Sequence, residues 1–526
     1  MGSGTFGSLQ PRNVQDEAVL TRVVRLAAPA LPWLVAAVSF GIGLAITRPF
    51  VDVPVSFDTQ ATVVYFERVI HGARLESPLS TTPKPLLTVI FGAAHALTGD
   101  WRLIVWLTIA AQAAAAGLAV VLGRRAAGAV VGVTAGLVIA GTSSLIEEAA
   151  FGSAVPWALL GWFIAGALLT GPRTRPGLAG VALALAALCR LETLVIVAIV
   201  GAALGWARYG PWPPQVPRPV VPGRLWLAVV VPFASLPAML LHDWLLTGDP
   251  YYWIKVSERY SDAVRAAGTI LGPAERVRWF VHRYVDQLPA VMLGLIGAAA
   301  LVRDRRWGVL VGLFAMGPGI AWFIVLLAVR DLFAPERYAI PVDLALFLLA
   351  AFGFGRIIDV AHRVTSRSPA LRPMLTASAF SVGLAAVAGI GTGPFDQVTV
   401  GRITDLRILN ENTARIIPWL RAPEGAPASQ SLIRWIVPTA VRPRVTVDLG
   451  VPLTSAAGLS LAWIDPATSP LHAGQIIFHD LRGDKPRGQY GAIEGGRAVQ
   501  VGSFTLRPLL VSESTGAWLY VAVTGP

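Results

Sequence analysis

The chain has 526 residues, 54% hydrophobic and only 14% charged, where an ordinary soluble domain carries roughly 25% charged residues. With a mean hydropathy of +0.61, this is the composition of a membrane protein. A single cysteine, Cys189, excludes disulfide scaffolds, CxxC redox sites and cysteine-rich metal sites. The formal charge of +12 reads as topological, holding short loops in the cytoplasm, and no nucleic-acid partner is expected.

In chain order, the first span runs from Ala27 to about Thr47. It is long, lies inside the chain and lacks a short apolar region leading to an A-x-A site, so it is not a cleaved signal peptide. A polar loop, 48–101, follows. Val63, Phe66, Val69 and Ile70 recur there at helical spacing, which predicts an amphipathic helix over 59–71 lying in the membrane interface, with Asp58 near its N-cap. An Asp in that place caps a helix more often than it catalyses. Asp52 is a second acid in the loop, and Thr82-Pro83-Lys84-Pro85 forms a turn into the next apolar segment.

Further apolar stretches lie at 102–122, 126–144, 154–171, 178–207, 226–246, 288–302, 308–328, 339–355 and 374–393. The breaks between them alternate. Short basic breaks, such as Arg124-Arg125, Arg173 with Arg175, and Arg303 with Arg305 and Arg306, belong in the cytoplasm with the N-terminus. The longer breaks of mixed charge, 48–101, 144–153, 248–287 and 329–338, belong outside with everything after 394. The two sets interleave only if 178–207 crosses twice, giving about eleven spans with the N-terminus inside and the C-terminus outside. Each arm of that hairpin then rises about 22 Å, less than the roughly 30 Å hydrocarbon thickness. Its tip, Cys189-Arg190-Leu191-Glu192, is therefore recessed, and a charged pair there needs a cavity or a partner. A cavity-lining role and a purely structural Arg190–Glu192 pair are both open.

After Phe395 the composition changes. Arg444–Asp448, Leu459–Trp463, Gln475–Phe478, Val499–Leu506 and Trp518–Val523 are short, β-branched or aromatic, and bounded by Gly, Pro and Asp. These predict a small β-rich extracytoplasmic domain at 396–526, following a transmembrane domain at 1–395. No repeat of the kind many secondary transporters carry is evident.

Charged residues at the outer boundary are the remaining candidates. Glu147-Glu148 ends the third span and suits acceptor positioning or a divalent cation, although two oxygen ligands without a nearby His or Asp make a weak metal site; a solvated helix end is the alternative. An anionic substrate group needs cations, which Lys84, Arg190, Arg337 with Tyr338, and the loop 249–287 offer. That loop sets six Lys/Arg against five Asp/Glu, as an ordinary amphipathic surface would. Arg337, just before the span at Pro341, suits a lipid phosphate at headgroup depth. Tyr251, Tyr252 and Trp253 suit interfacial anchoring better than sugar stacking. No P-loop, GxSxG elbow or HExxH helix is present.

A first span, a long outer loop with an acid about ten residues beyond it, a helix and a Thr-Pro-Lys-Pro turn together resemble the C-type (GT-C) glycosyltransferase superfamily. This superfamily includes protein O-mannosyltransferases, aminoarabinose transferases and mycobacterial arabinosyltransferases. Ala186-Ala-Leu-Cys-Arg190-Leu-Glu192 is similar to its T/C-R-P/L-E turn, and Glu336-Arg337-Tyr338-Ala-Ile-Pro341 to its RY-x-x-P entry to a late helix. The resemblance implies a polytopic all-α membrane bundle of GT-C type with an extracytoplasmic C-terminal domain. The implied activity is inverting transfer of a sugar from a polyprenyl phosphate to a hydroxyl of a cell-envelope glycan, glycolipid or protein at the outer face of the plasma membrane. It gives Asp58 the role of general base and suggests a supporting acid at Glu147 and Glu148 for the acceptor. A lipid-phosphate donor then calls on the cations of Lys84, Arg190 and Arg337 with Tyr338, and Glu192 is counted with the substrate-binding residues. Many relatives carry two adjacent acids in the first loop. Here Thr59 and Gln60 follow Asp58, which leaves Asp52 as a rival base. A transporter or lipid flippase, or a non-catalytic envelope-assembly protein, are the readings from other classes.

Overall fold

The computed structural model describes residues 29–48, 53–75, 84–210, 222–258, 273–285, 287–329, 336–365, 397–420, 435–437, 441–449, 456–458, 476–480, 499–501, 504–512 and 517–524. Asp52, the 374–393 span and the strand expected at Leu459–Trp463 lie outside them.

The N-terminal part is helical: α1 Leu31–Thr47, α2 Phe57–Ile70, α3 Pro85–Thr98, α4 Arg102–Ala127, α5 Ala129–Gly141, α6 Ser143–Ala150, α7 Val155–Thr170, α8 Pro176–Cys189 and α9 Glu192–Tyr209. It continues with α10 Gly223–Thr247, α11 Pro273–Val285, α12 Leu288–Arg303, α13 Trp307–Leu327 and α14 Ile340–Thr365. Proline at the first or second position starts α1, α3, α7, α8 and α12, where its missing N–H would be unsatisfied anyway. Gly99 and Gly248, at φ 65° and 79°, end α3 and α10 in the left-handed turn that glycine adopts without strain.

Among the described residues, α4, α9, α10, α13 and the segment Arg337–Ala361 are long and apolar enough to cross a membrane, as is the pair α5 and α6 if its 51° bend is one broken span. α1, α3, α7, α8 and α12 are shorter apolar helices. The chain thus has the helical, apolar build expected of a membrane bundle. The double crossing inferred for 178–207 corresponds to two helices, α8 and α9, turning at Arg190 and Leu191.

The helices meet through small residues. α1 and α7 pack on α4, α4 on α5, and α12 on α14. At the last crossing, a Cβ on Gly297 would lie 2.0 Å from the Leu349 carbonyl, and one on Gly353 2.0 Å from the Leu293 carbonyl. Backbone contact this close is how helices associate in lipid, where burying apolar surface gives no advantage over the acyl chains.

Beyond residue 396 the structure is mixed. α15 Gln397–Leu420 and α16 Arg442–Leu449 pack against the helical part. The strands are β1 Trp435–Val437, β2 Ala456–Gly458, β3 Ile476–Asp480, β4 Val499–Val501, β5 Phe504–Ser512 and β6 Ala517–Thr524. They form a six-stranded sheet in the order β2-β1-β3-β6-β5-β4. β1 runs parallel to β2 and β3, and the other pairs are antiparallel, with Ile476 opposite Val521 in β3 and β6. The alternating Arg444–Asp448 segment, expected as a strand, is helical instead. Pro443 suits a helix start, the Arg444 and Asp448 side chains pair one turn apart at 3.3 Å, and Pro443 to Thr446 are buried together.

α2 differs from the amphipathic interfacial helix expected. Thr59 through Tyr65 are all buried, so the helix is covered around its whole circumference over nearly two turns. It is packed within the protein over that stretch.

Candidate functional site

The start of α2 fixes the placement of Asp58. Ser56 takes the N-cap position, its Oγ accepting from the Thr59 N–H at 3.4 Å. Thr59 Oγ1 lies 3.1 Å from the Phe151 carbonyl and 3.0 Å from the Gly152 carbonyl. Gly152, at φ 69°, sits so close that a Cβ there would lie 3.2 Å from the Thr59 methyl. Since Ser56 caps the helix, Asp58 is released from the role that most often explains an acid at this position, and its carboxylate turns into a cavity.

That cavity, about 450 Å³ of empty space with its opening to solvent included, lies among α2, α3, the α6–α7 turn, the α8–α9 hairpin and the start of α14. Asp58 Oδ2 accepts from Arg337 Nη1 at 2.6 Å and from Lys84 Nζ at 3.4 Å. On the hairpin, Arg190 Nη2 donates to Glu192 Oε1 at 2.7 Å and Nε to Oε2 at 3.3 Å, a two-point clamp. The Arg190 guanidinium stands 5.5 Å from the centre of the Tyr338 ring, within range of a cation–π contact. Glu148 faces the same space and accepts from Ser153 Oγ. Thr59 and Thr62 add hydroxyl-bearing side chains to the lining, while Leu87 and Phe91 of α3 add apolar surface.

Burial works to raise the Asp58 carboxyl pKa, but the Arg337 guanidinium and the Lys84 ammonium outweigh it and hold the group well below the usual carboxylate range. Burial in turn lowers the Lys84 ammonium, and Asp58 opposes that shift. The acid is therefore a carboxylate, its charge answered by two cations drawn from segments far apart in sequence.

Of the residues singled out in the sequence, Asp58, Lys84, Glu148, Arg190, Glu192, Arg337 and Tyr338 all line this one cavity. Glu147 does not. Successive residues on a helix point about 100° apart, and Glu147 faces Arg402 of α15, with Oε1 3.3 Å from Nη1. The hairpin pair satisfies both expectations, being a closed ion pair and part of the cavity wall. Lys255 pairs with Asp249 at 2.5 Å, and neither it nor the Tyr251-Tyr252-Trp253 run lines the cavity.

Sequence reasoning missed Asp343. Arg283 donates to it at 2.6 Å and 3.2 Å, and the Tyr284 hydroxyl at 2.9 Å, which ties α11 to the first turn of α14 a few residues from Arg337. An acid four residues into an apolar span was the signal available, because such a charge needs a partner.

No family model matches the chain, and no curated protein matches it in sequence. Among solved structures, it is similar to the Archaeoglobus fulgidus oligosaccharyltransferase tethered with an acceptor peptide containing the NVT sequon (TM-score 0.52, 14% identity, 86% of this chain and 69% of that one). It is also similar to the archaeal oligosaccharyltransferase AglB from Archaeoglobus fulgidus in complex with an inhibitory peptide and a dolichol-phosphate (TM-score 0.51, 13% identity, 86% and 69%). ArnT from Cupriavidus metallidurans in the apo state aligns over 95% of this chain and 100% of its own length (TM-score 0.50, 15% identity). The fold is GT-C. At these identities what is shared is the architecture, and in this chain the acid after the first helix and the basic late-helix entry line one cavity.

Proposed function

We propose that this protein is a polytopic GT-C glycosyltransferase that transfers a sugar, with inversion, from a polyprenyl phosphate to a hydroxyl of a cell-envelope glycan, glycolipid or protein. In this reading the chain spans the membrane about eleven times, with the N-terminus cytoplasmic, the C-terminal domain at 396–526 extracytoplasmic, and the reaction at the outer face of the plasma membrane. Arabinosyl and mannosyl transfer are the activities the sequence resemblance suggests. The observation that carries the proposal is the meeting of a largely enclosed carboxylate, Asp58, with Lys84 and Arg337 in a cavity that also holds apolar Leu87 and Phe91. A lipid phosphate needs both kinds of surface.

The chemistry follows from that set. A phosphodiester seated between Lys84 and Arg337 shares the positive charge that Asp58 now takes alone, with the Arg337 fork suited to two-point recognition of phosphate. Arg190, paired with Glu192 and 5.5 Å from the Tyr338 ring, presents its guanidinium to the same cavity. The Asp58 oxygen then accepts the proton of the acceptor hydroxyl as that oxygen attacks the anomeric carbon. The bond from the anomeric carbon to the phosphate oxygen breaks, and polyprenyl phosphate leaves with the electron pair. A single displacement inverts the centre and needs no second carboxylate to hold a covalent sugar. Glu148, steadied by Ser153, orients the acceptor. Glu147 belongs to the contact with α15 and is not proposed for the site.

Among the described residues, no three His, Cys, Asp or Glu side chains are grouped to hold a metal ion. Asp58 has its charge answered by side chains, so the donor set does not fit a resident divalent cation, and no step is routed through one.

Asp58→Asn tests the proposal. General-base catalysis is worth about 10²- to 10⁴-fold, so transfer to the acceptor should fall by that much in membranes holding normal amounts of inserted protein. Full activity in that variant would remove Asp58 from the role and the reading with it.

A further inference from the structure

A buried polar network joins the segment after the last described membrane helix to the turn that carries Asp58. The Val55 carbonyl, just before the Ser56 cap, accepts from Gln60 Nε2 at 2.9 Å and from Asn410 Nδ2 of α15 at 3.3 Å. Gln60 Oε1 in turn accepts from the Arg444 backbone N–H of α16 at 3.1 Å, and Arg444 Nη1 donates to Asn410 Oδ1 at 2.7 Å. Asp448 closes the set, accepting from Arg444 Nε at 3.3 Å and from Trp101 Nε1 at 3.3 Å. Val55, Gln60 and Asn410 are wholly enclosed, and Arg444 nearly so.

Buried hydrogen bonds of this kind are directional, and leaving one partner unmatched is costly. Here they hold the first turn of α2 at Val55 and Gln60, while Thr59 fastens it to the Phe151 and Gly152 carbonyls. Asp58 lies in sequence between Val55 and Thr59. The apolar cover of α2 would keep the helix buried, but only directional bonds fix its rotation and axial position, which decide where a carboxylate two residues past the cap points.

We infer that Asn410 and Arg444 are positioning residues: acting through Val55 and Gln60, they set the placement of the Asp58 carboxylate, so the segment after residue 396 is a working part of the catalytic site. This rests on the function proposed above. The test uses the full-length protein with Asn410→Ala and, as a variant that keeps side-chain volume and the backbone bond to Gln60, Arg444→Met. Turnover in membranes carrying their own lipid-linked sugar, affinity for polyprenyl phosphate, melting temperature and amide exchange over residues 55–62 are measured together.

The expected result is a ten- to hundredfold loss of turnover per folded molecule, of the size that small misplacements produce. Polyprenyl phosphate affinity should stay within threefold and exchange over 55–62 should rise. Unchanged turnover and exchange in Arg444→Met, or turnover and phosphate affinity falling together with the melting temperature, would overturn the inference. Asp58→Asn separates the two proposals. If it stays active, the proposed function fails; if it is inactive while Arg444→Met turns over normally, only the positioning role fails.

Discussion

The crossing of α12 and α14 and the seating of α2 solve the same problem, holding helices in place, with opposite chemistry. At the first, Gly297 and Gly353 bring two backbones together. At the second, α2 is held by Gln60, Asn410, Arg444 and Thr59 through directional hydrogen bonds. Close packing of small residues serves where a helix has only to remain in lipid. A helix that has to aim one carboxylate is pinned in rotation as well.

The comparison can be broken most severely at the glycines. Gly353→Leu sets side-chain atoms against the Leu293 carbonyl, and the helices must separate. A loss of about 3 kcal/mol, at the upper end for overpacking, should appear as a lower melting temperature and less folded protein, with turnover per folded molecule retained. Asn410→Ala should do the reverse, losing turnover before stability.

A second contrast concerns pH. The Asp58 carboxyl is held below its ordinary value, so its pairing with Arg337 and Lys84 stabilises the fold in full above the unfolded-state pKa of about 3.9. That contribution is lost only as pH falls towards the lower folded-state value. Plots of log kcat/KM against pH, which report the free enzyme, should therefore show no acid limb from Asp58 between about pH 5 and 8. An acid limb in that range that vanishes in Asp58→Asn would contradict the ion pairing.

The smallest effect separates neighbours. Glu147→Gln weakens a contact with the largely exposed Arg402, outside the cavity, and such pairs are worth about 0–1 kcal/mol, so transfer should stay within about twofold of wild type. Glu148→Gln, inside the cavity beside Ser153, should raise the KM for acceptor several-fold. Equal responses from the two would undo their division.

Much of the site was legible because the chain is so apolar. A charge within or beside a spanning segment is costly, so Asp58, Arg190, Glu192 and Arg337 stand out before any fold is known. The hairpin was legible for a related reason: charge alternation in the loops demanded a second crossing within 178–207. Glu147 and Glu148 could not be told apart, since only the phase of α6 decides which one meets the cavity. The positioning network was invisible for the opposite reason. Gln60, Asn410 and Arg444 lie in segments where polar residues are common, and Gln60 meets the Arg444 backbone across a separation of 384 residues. The alternation in Arg444–Asp448 fits a strand equally well, and its helix is settled by what it docks against.

α8 has 14 residues and rises about 21 Å, some 9 Å less than the roughly 30 Å of a hydrocarbon layer, so in the eleven-span reading proposed above the Arg190–Glu192 clamp is recessed below the outer surface. Under the proposed function, such a recess would favour the slender end of an extended polymer or a projecting side chain over a broad, folded acceptor.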